Sequence, residues 1–367
     1  MKLLKKCTFV QLLSNLSNLK TSYSMQLYNT LSANERAVLI EQAGVDRLTI
    51  SFYKYAHLKN PQLVRNHLFL AWNDLGVLGR IYVAKEGINA QLSVPAPNFE
   101  AFKKHLDSIS FLENVRLNIA IEQDNMSFLK LKVKVRDKIV ADGLDDGSFD
   151  VTDKGIHVGA EKFNELIEDP DTVLVDMRNH YESEIGHFKN AVCPDVDTFR
   201  DSLDLIEEQL RDHKESKKLV MYCTGGIRCE KASAYYKHKG FKQVYQLEGG
   251  IIEYTRQVRD QGLENKFLGK NFVFDERRAE CISDDVIAVC HQCGSPCDTH
   301  VNCANSGCHL LFIQCESCAS KMNHCCSEEC MDIVALPEEE QKALRKGKTV
   351  SNKIFKKGRS PKLKYKA

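Results

Sequence analysis

The chain has 367 residues, 43% of them hydrophobic and 28% charged, an ordinary composition for a soluble protein and a length that allows two to four domains with cores of their own. It contains no run of eighteen apolar residues, so no membrane-spanning helix is expected. Net charge is +1, yet eleven Lys or Arg and no acid follow Glu340, which leaves 40 basic against 50 acidic residues, or −10, in the rest of the chain; a basic arm on an acidic body points to a polyanionic partner.

Residues 1–45 read as an N-terminal extension. Lys2, Lys5 and Lys6 precede an apolar stretch from Cys7 to Leu13, and no acid appears before Glu35. Thr8 and Gln11 interrupt the apolar stretch and no Ala-x-Ala site follows, which argues against secretion, and Met25 is an alternative start. From 46 to 140 strands and helices alternate. Leu48 to Tyr55 reads as a strand, and Pro61 to Leu75 as a helix opened by proline. Gly79 to Ala84 and Ala90 to Val94 read as strands joined through Lys85-Glu86-Gly87-Ile88-Asn89. Phe99, Phe102, Leu106 and Ile109 recur at helical steps after Asn98, the expected N-cap. In the last strand Leu129, Leu131, Val133 and Val135 alternate with Lys130, Lys132, Lys134 and Arg136. The order βαββαβ predicts a ferredoxin-like domain. Its Lys/Arg row is either a solvated edge or a surface for RNA phosphate, and the Lys85 to Asn89 segment is either a plain connecting turn or one from which Lys85 and Asn89 reach a ligand.

Residues 141–153 are acidic and contain glycines, and read as a linker. From 154 to 265 repeated strand-to-helix units (Thr172 to Val175, Phe199 to Leu210, Leu219 to Tyr222, Gln243 to Leu247) predict a parallel α/β sheet with its site at the carboxyl ends of the strands. Cys223 stands at one such end, followed by Thr224-Gly225-Gly226-Ile227-Arg228-Cys229-Glu230 and a segment of helical spacing up to Gly240. Two glycines let backbone N–H groups turn inward beside a helix N-terminus, and Arg228 adds a cation. A thiol there ionises readily, so Cys223 is the candidate nucleophile. An inert buried cysteine needs neither the turn nor the arginine. Asp176, Arg178 and Glu182, followed by Gly186-His187, are placed to wall the same crevice, and Cys229 is a candidate second thiol.

Of fifteen cysteines, ten fall between Cys290 and Cys330, at spacings that suit metal in a reducing compartment better than disulfides. Residues 266–336 are therefore expected to form a small zinc-binding domain with two structural ions. Cys290 and Cys293 pair with Cys315 and Cys318. Cys303 and Cys308 pair with two of Cys325, Cys326 and Cys330, for which Cys326 and Cys330 are taken. His300, His309 and His324 stand nearby, an iron–sulfur cluster is the alternative metal group, and Leu310 to Ile313 is the expected small core. Residues 337–367 form the basic tail, with Lys356, Lys357 and Arg359 as candidate RNA contacts.

The series Asp176-x-Arg178, Glu182, Gly186-His187, the Cys223 to Arg228 loop and Glu248-Gly249-Gly250 resembles a rhodanese domain. Phosphatases of this fold enclose five residues between cysteine and arginine, whereas this loop encloses four, too short a cradle for phosphate. From Leu48 to Pro337 the architecture is similar to the rhodanese-related tRNA uridine hydroxylases, with an acylphosphatase-like variant of the ferredoxin-like domain in front. That resemblance implies oxygen-dependent hydroxylation of the wobble uridine at C5, with Cys223 and Arg228 catalytic, molecular oxygen as co-substrate, the tRNA anticodon region as partner, and a cytoplasmic location. No nucleotide-cofactor motif accompanies it. The same loop would serve a sulfurtransferase carrying a persulfide, and the cysteine-rich end and tail would serve a non-catalytic RNA-binding adaptor.

Overall fold

The structure, a computed structural model, describes residues 27–29, 31–145, 147–346, 360 and 363. The stretch containing Lys2 to Met25, and Lys356, Lys357 and Arg359 of the tail, lie outside the described residues. A first helix, α1 (Ala33–Ala43), starts in a capping box between Ser32 and Glu35.

The N-terminal domain is a five-stranded sheet: β1 (Arg47–Tyr55), β2 (Leu78–Ala84), β3 (Gly87–Pro95), β4 (Asn118–Ile119) and β5 (Leu131–Val135), in the order β4-β1-β3-β2-β5. The basic strand is therefore the far edge, parallel to β2, and a two-residue strand that the alternation did not announce pairs with β1 instead. The connection between β2 and β3 shrinks to Lys85-Glu86, because Gly87, Ile88 and Asn89 belong to β3. Helices α2 (Pro61–Asp74) and α3 (Phe99–Ser108) cover one face. The first is capped by Asn60, which accepts from the Leu63 N–H at 3.0 Å. Asn98 does not cap the second. It ends a 3₁₀ turn, and its amide donates to the Leu75 carbonyl at 3.0 Å.

Period-two alternation then sorts the side chains. Ile50, Phe52, Ile81, Val83, Ala90 and Leu92 point into the core with Trp72 and Phe102. Their neighbours face the other way in two rows fixed by register: Asn118, Ser51, Gln91, Arg80, Lys132, and Tyr53, Asn89, Tyr82, Lys134. This second face carries the polar half of the site.

The central domain is a parallel sheet of β6 (Ile156–Val158), β7 (Thr172–Asp176), β9 (Lys218–Tyr222) and β10 (Gln243–Leu247) in the order β6-β10-β9-β7. Its inward side chains fill two layers, as a doubly wound sheet requires. Helices α6 (Phe199–Gln209) and α7 (Ile227–His238) cover one side; α4 (Ala160–Glu168) and α8 (Gly250–Gln261) cover the other. A short helix α5 (His180–Ser183) leads into β8 (Gly186–Phe188). That strand pairs with β11 (Phe267–Phe272), which also pairs with β12 (Ala279–Cys281), so the cysteine-rich region begins as part of a sheet shared with the central domain.

Among its described residues the 141–153 segment has no helix or strand, but it is anchored. Asp142 is buried between the Lys138 and Lys231 ammonium groups at 2.6 and 3.0 Å, and Leu144 and Phe149 pack on the α6–α7 side of the central core. Beyond β12 a hairpin of β13 (His300–Asn302) and β14 (Leu311–Ile313) buries Leu310, Phe312 and Ile313, followed by α9 (Glu316–Lys321), α10 (Glu328–Ala335) and α11 (Glu338–Arg345). Leu363 of the tail is buried in the same small core as Phe312. Among the described residues no helix is long and apolar enough to cross a membrane.

Candidate functional site

Strand β9 ends at Tyr222 and helix α7 begins at Ile227, leaving Cys223, Thr224, Gly225 and Gly226 as the turn between them. The N-terminus of α8 holds this turn from behind: the Ile251 and Ile252 N–H groups donate to the Cys223 and Thr224 carbonyls at 3.0 and 3.3 Å. With the carbonyls engaged there, the loop N–H groups turn inward, and that of Gly226 donates to Cys223 Sγ at 3.1 Å. Gly250 explains the Glu248-Gly249-Gly250 triplet. At its φ of +67° a Cβ would stand 2.4 Å from the Cys223 carbonyl oxygen, so only glycine lets the two turns touch.

Burial alone pushes the Cys223 thiol up. The Cys229 thiol, the Arg228 guanidinium and the N–H groups of Arg228 and Cys229 together bring it down to about 6. The same contact acts in reverse on Cys229, whose thiol is pushed well up by burial and by the Cys223 sulfur. One thiolate and one thiol donor result.

The expected crevice residues divide. Thr224, Gly225, Ile227 and Arg228 line a cavity of about 430 Å³ together with the buried Cys223. Asp176, Arg178 and Glu182 do not line it. Arg178 forms an internal ion pair with Asp176, two of its N–H groups meeting the carboxylate at 2.6–3.1 Å, and donates to the Gly186 carbonyl, both side chains being fully buried. Glu182 sits behind Arg228 and bonds it at 2.8 and 2.7 Å. Burial works against the Arg228 charge, but Glu182 and the Cys223 sulfur hold its guanidinium firmly protonated. His187 turns its Nδ1 to the Ser183 carbonyl, 2.9 Å away, and lies outside the cavity lining.

The opposite wall comes from the N-terminal sheet, and sequence reasoning missed most of it: Ser51, Tyr53, Arg80, Tyr82, Gln91 and Asn118, beside the expected Asn89. Only strand alternation hinted at it, since polar residues recurring at every second position of β1 to β3 needed a partner surface. Tyr53 donates to Glu230 at 3.1 Å and Tyr55 to the Ile227 carbonyl at 3.3 Å, so two tyrosines of β1 grip the start of α7. Burial and Glu230 push the Tyr53 phenol well up, keeping it a donor. Lys231, buried in α7, reaches Glu86 at 2.5 Å and Asp142 at 3.0 Å and lies over the Tyr55 ring. Glu86 of the β2–β3 turn is thus a clamp, while Lys85 is exposed at its tip and outside the cavity lining.

Arg136 lies over the Tyr82 ring at 5.5 Å. Lys132 and Lys134 are exposed and share the sheet face of Arg80 and Tyr82. Partial burial first, and then Arg80, Lys134 and Lys130, push the Lys132 ammonium down: these cations crowd one another and an anion would relieve them.

Two groups of four cysteines complete the picture: Cys290, Cys293, Cys315 and Cys318, then Cys303, Cys308, Cys326 and Cys330, with all sulfurs of a group within 4.8 Å of one another. Neighbouring sulfurs stand 3.7 Å apart for Cys293 and Cys315, 3.6 Å for Cys308 and Cys326, and 3.8 Å for Cys326 and Cys330. A tetrahedral ion with metal–sulfur bonds of about 2.3 Å sets its sulfurs about 3.8 Å apart, so both groups fit one. N–H groups of Cys315, Cys326 and Asn305 donate to the sulfurs of Cys290, Cys303 and Cys330, each at 3.4 Å, as thiolate ligands require. Cys297, Cys325, His300, His309 and His324 belong to neither group. The first group is coupled to the cavity: His291 meets Glu184 at 2.6 Å, and Ile313 packs with Tyr181 and Ile185, the flanks of Glu182.

Three family profiles match in series: a UPF0176 acylphosphatase like domain over residues 47–139, a rhodanese-like domain over 159–257 and a rhodanase C-terminal segment over 268–331. Over 334 residues the chain is 56% identical to a tRNA uridine(34) hydroxylase of Photorhabdus laumondii, covering 91% of this chain and 95% of that protein. A protein of the same name from Leptospira interrogans is 55% identical over 320 residues, 87% of each chain. One from Salmonella arizonae is 54% identical over 334 residues, 91% of this chain and 95% of its own length.

Proposed function

The chain belongs to the tRNA uridine(34) hydroxylase family, and from that premise we propose that it hydroxylates the wobble uridine of tRNA at C5 through Cys223, with Arg228 beside it. One observation carries the assignment of roles: a thiol brought down to about 6 lines a cavity of about 430 Å³ whose far wall is a polar, aromatic sheet face of another domain. Such a chamber suits a flat polar base better than a small inorganic sulfur donor.

The chemistry follows from the residues. C5 of uracil is a weak nucleophile until the Cys223 thiolate adds at C6, which moves a negative charge onto C5 and O4. Arg228 and the loop N–H groups face that charge. C5 then takes one atom of molecular oxygen. The other leaves as water, with two electrons and two protons from a thiol reductant, and loss of the C5 proton expels the thiolate and restores the ring. Cys229 keeps its neighbour ionised by donating to it.

Arg80, Lys130, Lys132, Lys134 and Arg136 line the approach for the anticodon phosphates, with Lys85, Lys356, Lys357 and Arg359 extending the contact and Asn89 on the cavity wall opposite Cys223. The two cysteine groups hold structural zinc, which brings β13, β14, α9 and α10 together and takes no part in the reaction. The enzyme works where tRNA and reduced thiols coexist, in the cytoplasm.

The test is nucleoside mass spectrometry of tRNA from a strain lacking its own enzyme and expressing this chain. Wild-type protein restores 5-hydroxyuridine, carrying ¹⁸O when cells grow under ¹⁸O₂, and Cys223→Ser does not. Restoration by Cys223→Ser would sink the thiolate mechanism; failure of the wild type would sink the function.

A further inference from the structure

We propose that Asn118 is the residue that selects uracil in this cavity, an inference that rests on the function proposed above. Asn118 lies on the short strand β4 opposite Ser51 and lines the cavity together with Cys223 and Gly225. The residue is only 3% exposed. The amide Nδ2 donates to the Gly225 carbonyl at 3.4 Å. Turning the amide over would set its oxygen against that carbonyl, so the reactive loop itself fixes which way the amide faces. Oδ1 is then buried with no partner among the described residues, and so is Oγ1 of Thr224, next to Cys223 in the same lining. Buried polar atoms are normally satisfied; both residues stand in the wall shared by this cavity and an adjoining one of about 40 Å³, and the two orphans mark where a ligand's polar edge goes.

The two atoms differ in what they accept. Oδ1 can only accept a proton, whereas a hydroxyl can donate one. Uracil presents an N3–H donor flanked by the carbonyl oxygens O2 and O4. Cytosine presents a bare N3 acceptor beside an amino group. Oδ1 of Asn118 therefore pairs with N3–H of uracil while the Thr224 hydroxyl donates to a flanking carbonyl. Against cytosine the same Oδ1 meets the N3 lone pair, and the bond is replaced by a repulsion. A site that hydrogen-bonds one edge rejects the base that lacks it far more strongly than shape alone allows. Asn118 touches the pyrimidine edge and not the reacting carbons, which makes it a specificity residue.

The experiment compares anticodon stem–loops that carry uridine or 3-methyluridine at position 34, with dissociation constants read by fluorescence anisotropy under anaerobic conditions. The analogue keeps the flat ring and both carbonyl oxygens and replaces N3–H by N3–CH₃, and the phosphate contacts are common to both RNAs. Wild-type protein is expected to bind the uridine RNA about tenfold more tightly. Asn118→Ala is expected to lose about tenfold for uridine, keep its affinity for the analogue and bring the ratio to about one. Equal wild-type affinities would overturn the proposal without any variant, and so would an Asn118→Ala protein that keeps the tenfold ratio. A wild type that forms no 5-hydroxyuridine sinks the function instead, and one that forms it yet ignores the N3–H sinks only the role of Asn118.

Discussion

Arg228 and Glu182 are joined by two parallel hydrogen bonds, Nη1 to Oε1 at 2.8 Å and Nη2 to Oε2 at 2.7 Å, and the carboxylate is fully buried outside the cavity lining. The cation beside Cys223 therefore has its plane fixed by a residue that never meets the substrate. Glu182 is held in turn by the capping box of α5, where it accepts the Asn179 N–H at 3.1 Å.

Glu182→Gln keeps the shape and removes the charge. Formation of 5-hydroxyuridine is expected to fall about 10–100-fold, as misplacing a catalytic group does, with metal content unchanged. Glu182→Ala leaves a buried guanidinium without its partner and is expected to cost about 3–5 kcal/mol in denaturant unfolding. An unchanged single-turnover rate in the Gln variant would show that Arg228 needs no positioning.

The pH profile follows from the Cys223 thiol. Its acidity is shifted down to about 6, so the thiolate fraction, and with it the single-turnover rate, should rise tenfold per pH unit below about 6 and level off above it. Cys229→Ala removes the thiol that donates to Cys223, which moves the inflection upward, toward the free-cysteine range near ~8.5. A profile that does not move assigns the depression to Arg228 and the backbone instead.

Metal analysis should find two equivalents of zinc in the purified chain. Cys293→Ser or Cys308→Ser should each reduce this toward one, and Cys297→Ser should leave two. Loss of the first ion loosens β14 and the His291–Glu184 pair behind Glu182, so chelation is expected to lower hydroxylation as well as the melting temperature. Full metal content in Cys308→Ser would disprove the second site.

Lys132 and Lys134 lie on the exposed edge strand, on the sheet face that leads to Tyr82. Replacing both by Ala should weaken tRNA binding and flatten the plot of log affinity against log salt by about 0.7–0.9 for each phosphate that is no longer neutralised. Uridine and 3-methyluridine RNAs should weaken equally, because cations that meet only phosphate carry no base information. An unaltered salt slope would return these lysines to the role of edge protection.

The amino-acid sequence by itself determined whatever depends on neighbours a few residues apart. The Gly225-Gly226 turn, the four residues between Cys223 and Arg228, the alternation of β1 to β3 and the paired cysteine spacings are local, and each specifies its backbone geometry or donor set without help from the rest of the chain. Only the tertiary structure decided which distant groups share a space. It set Tyr53, Asn118 and Tyr82 across from Cys223, more than a hundred residues away along the chain. It drew Asp176 and Arg178 inside as a mutual ion pair, because two charges so close are satisfied more fully by each other than by a cavity. It also brought the sulfurs of Cys326 and Cys330 to those of Cys303 and Cys308, the grouping taken from the sequence, and left Cys325 out. The cavity wall that the N-terminal sheet supplies was invisible in the sequence for the same reason: a short strand such as β4 is made by its partner β1, and carries no periodicity of its own.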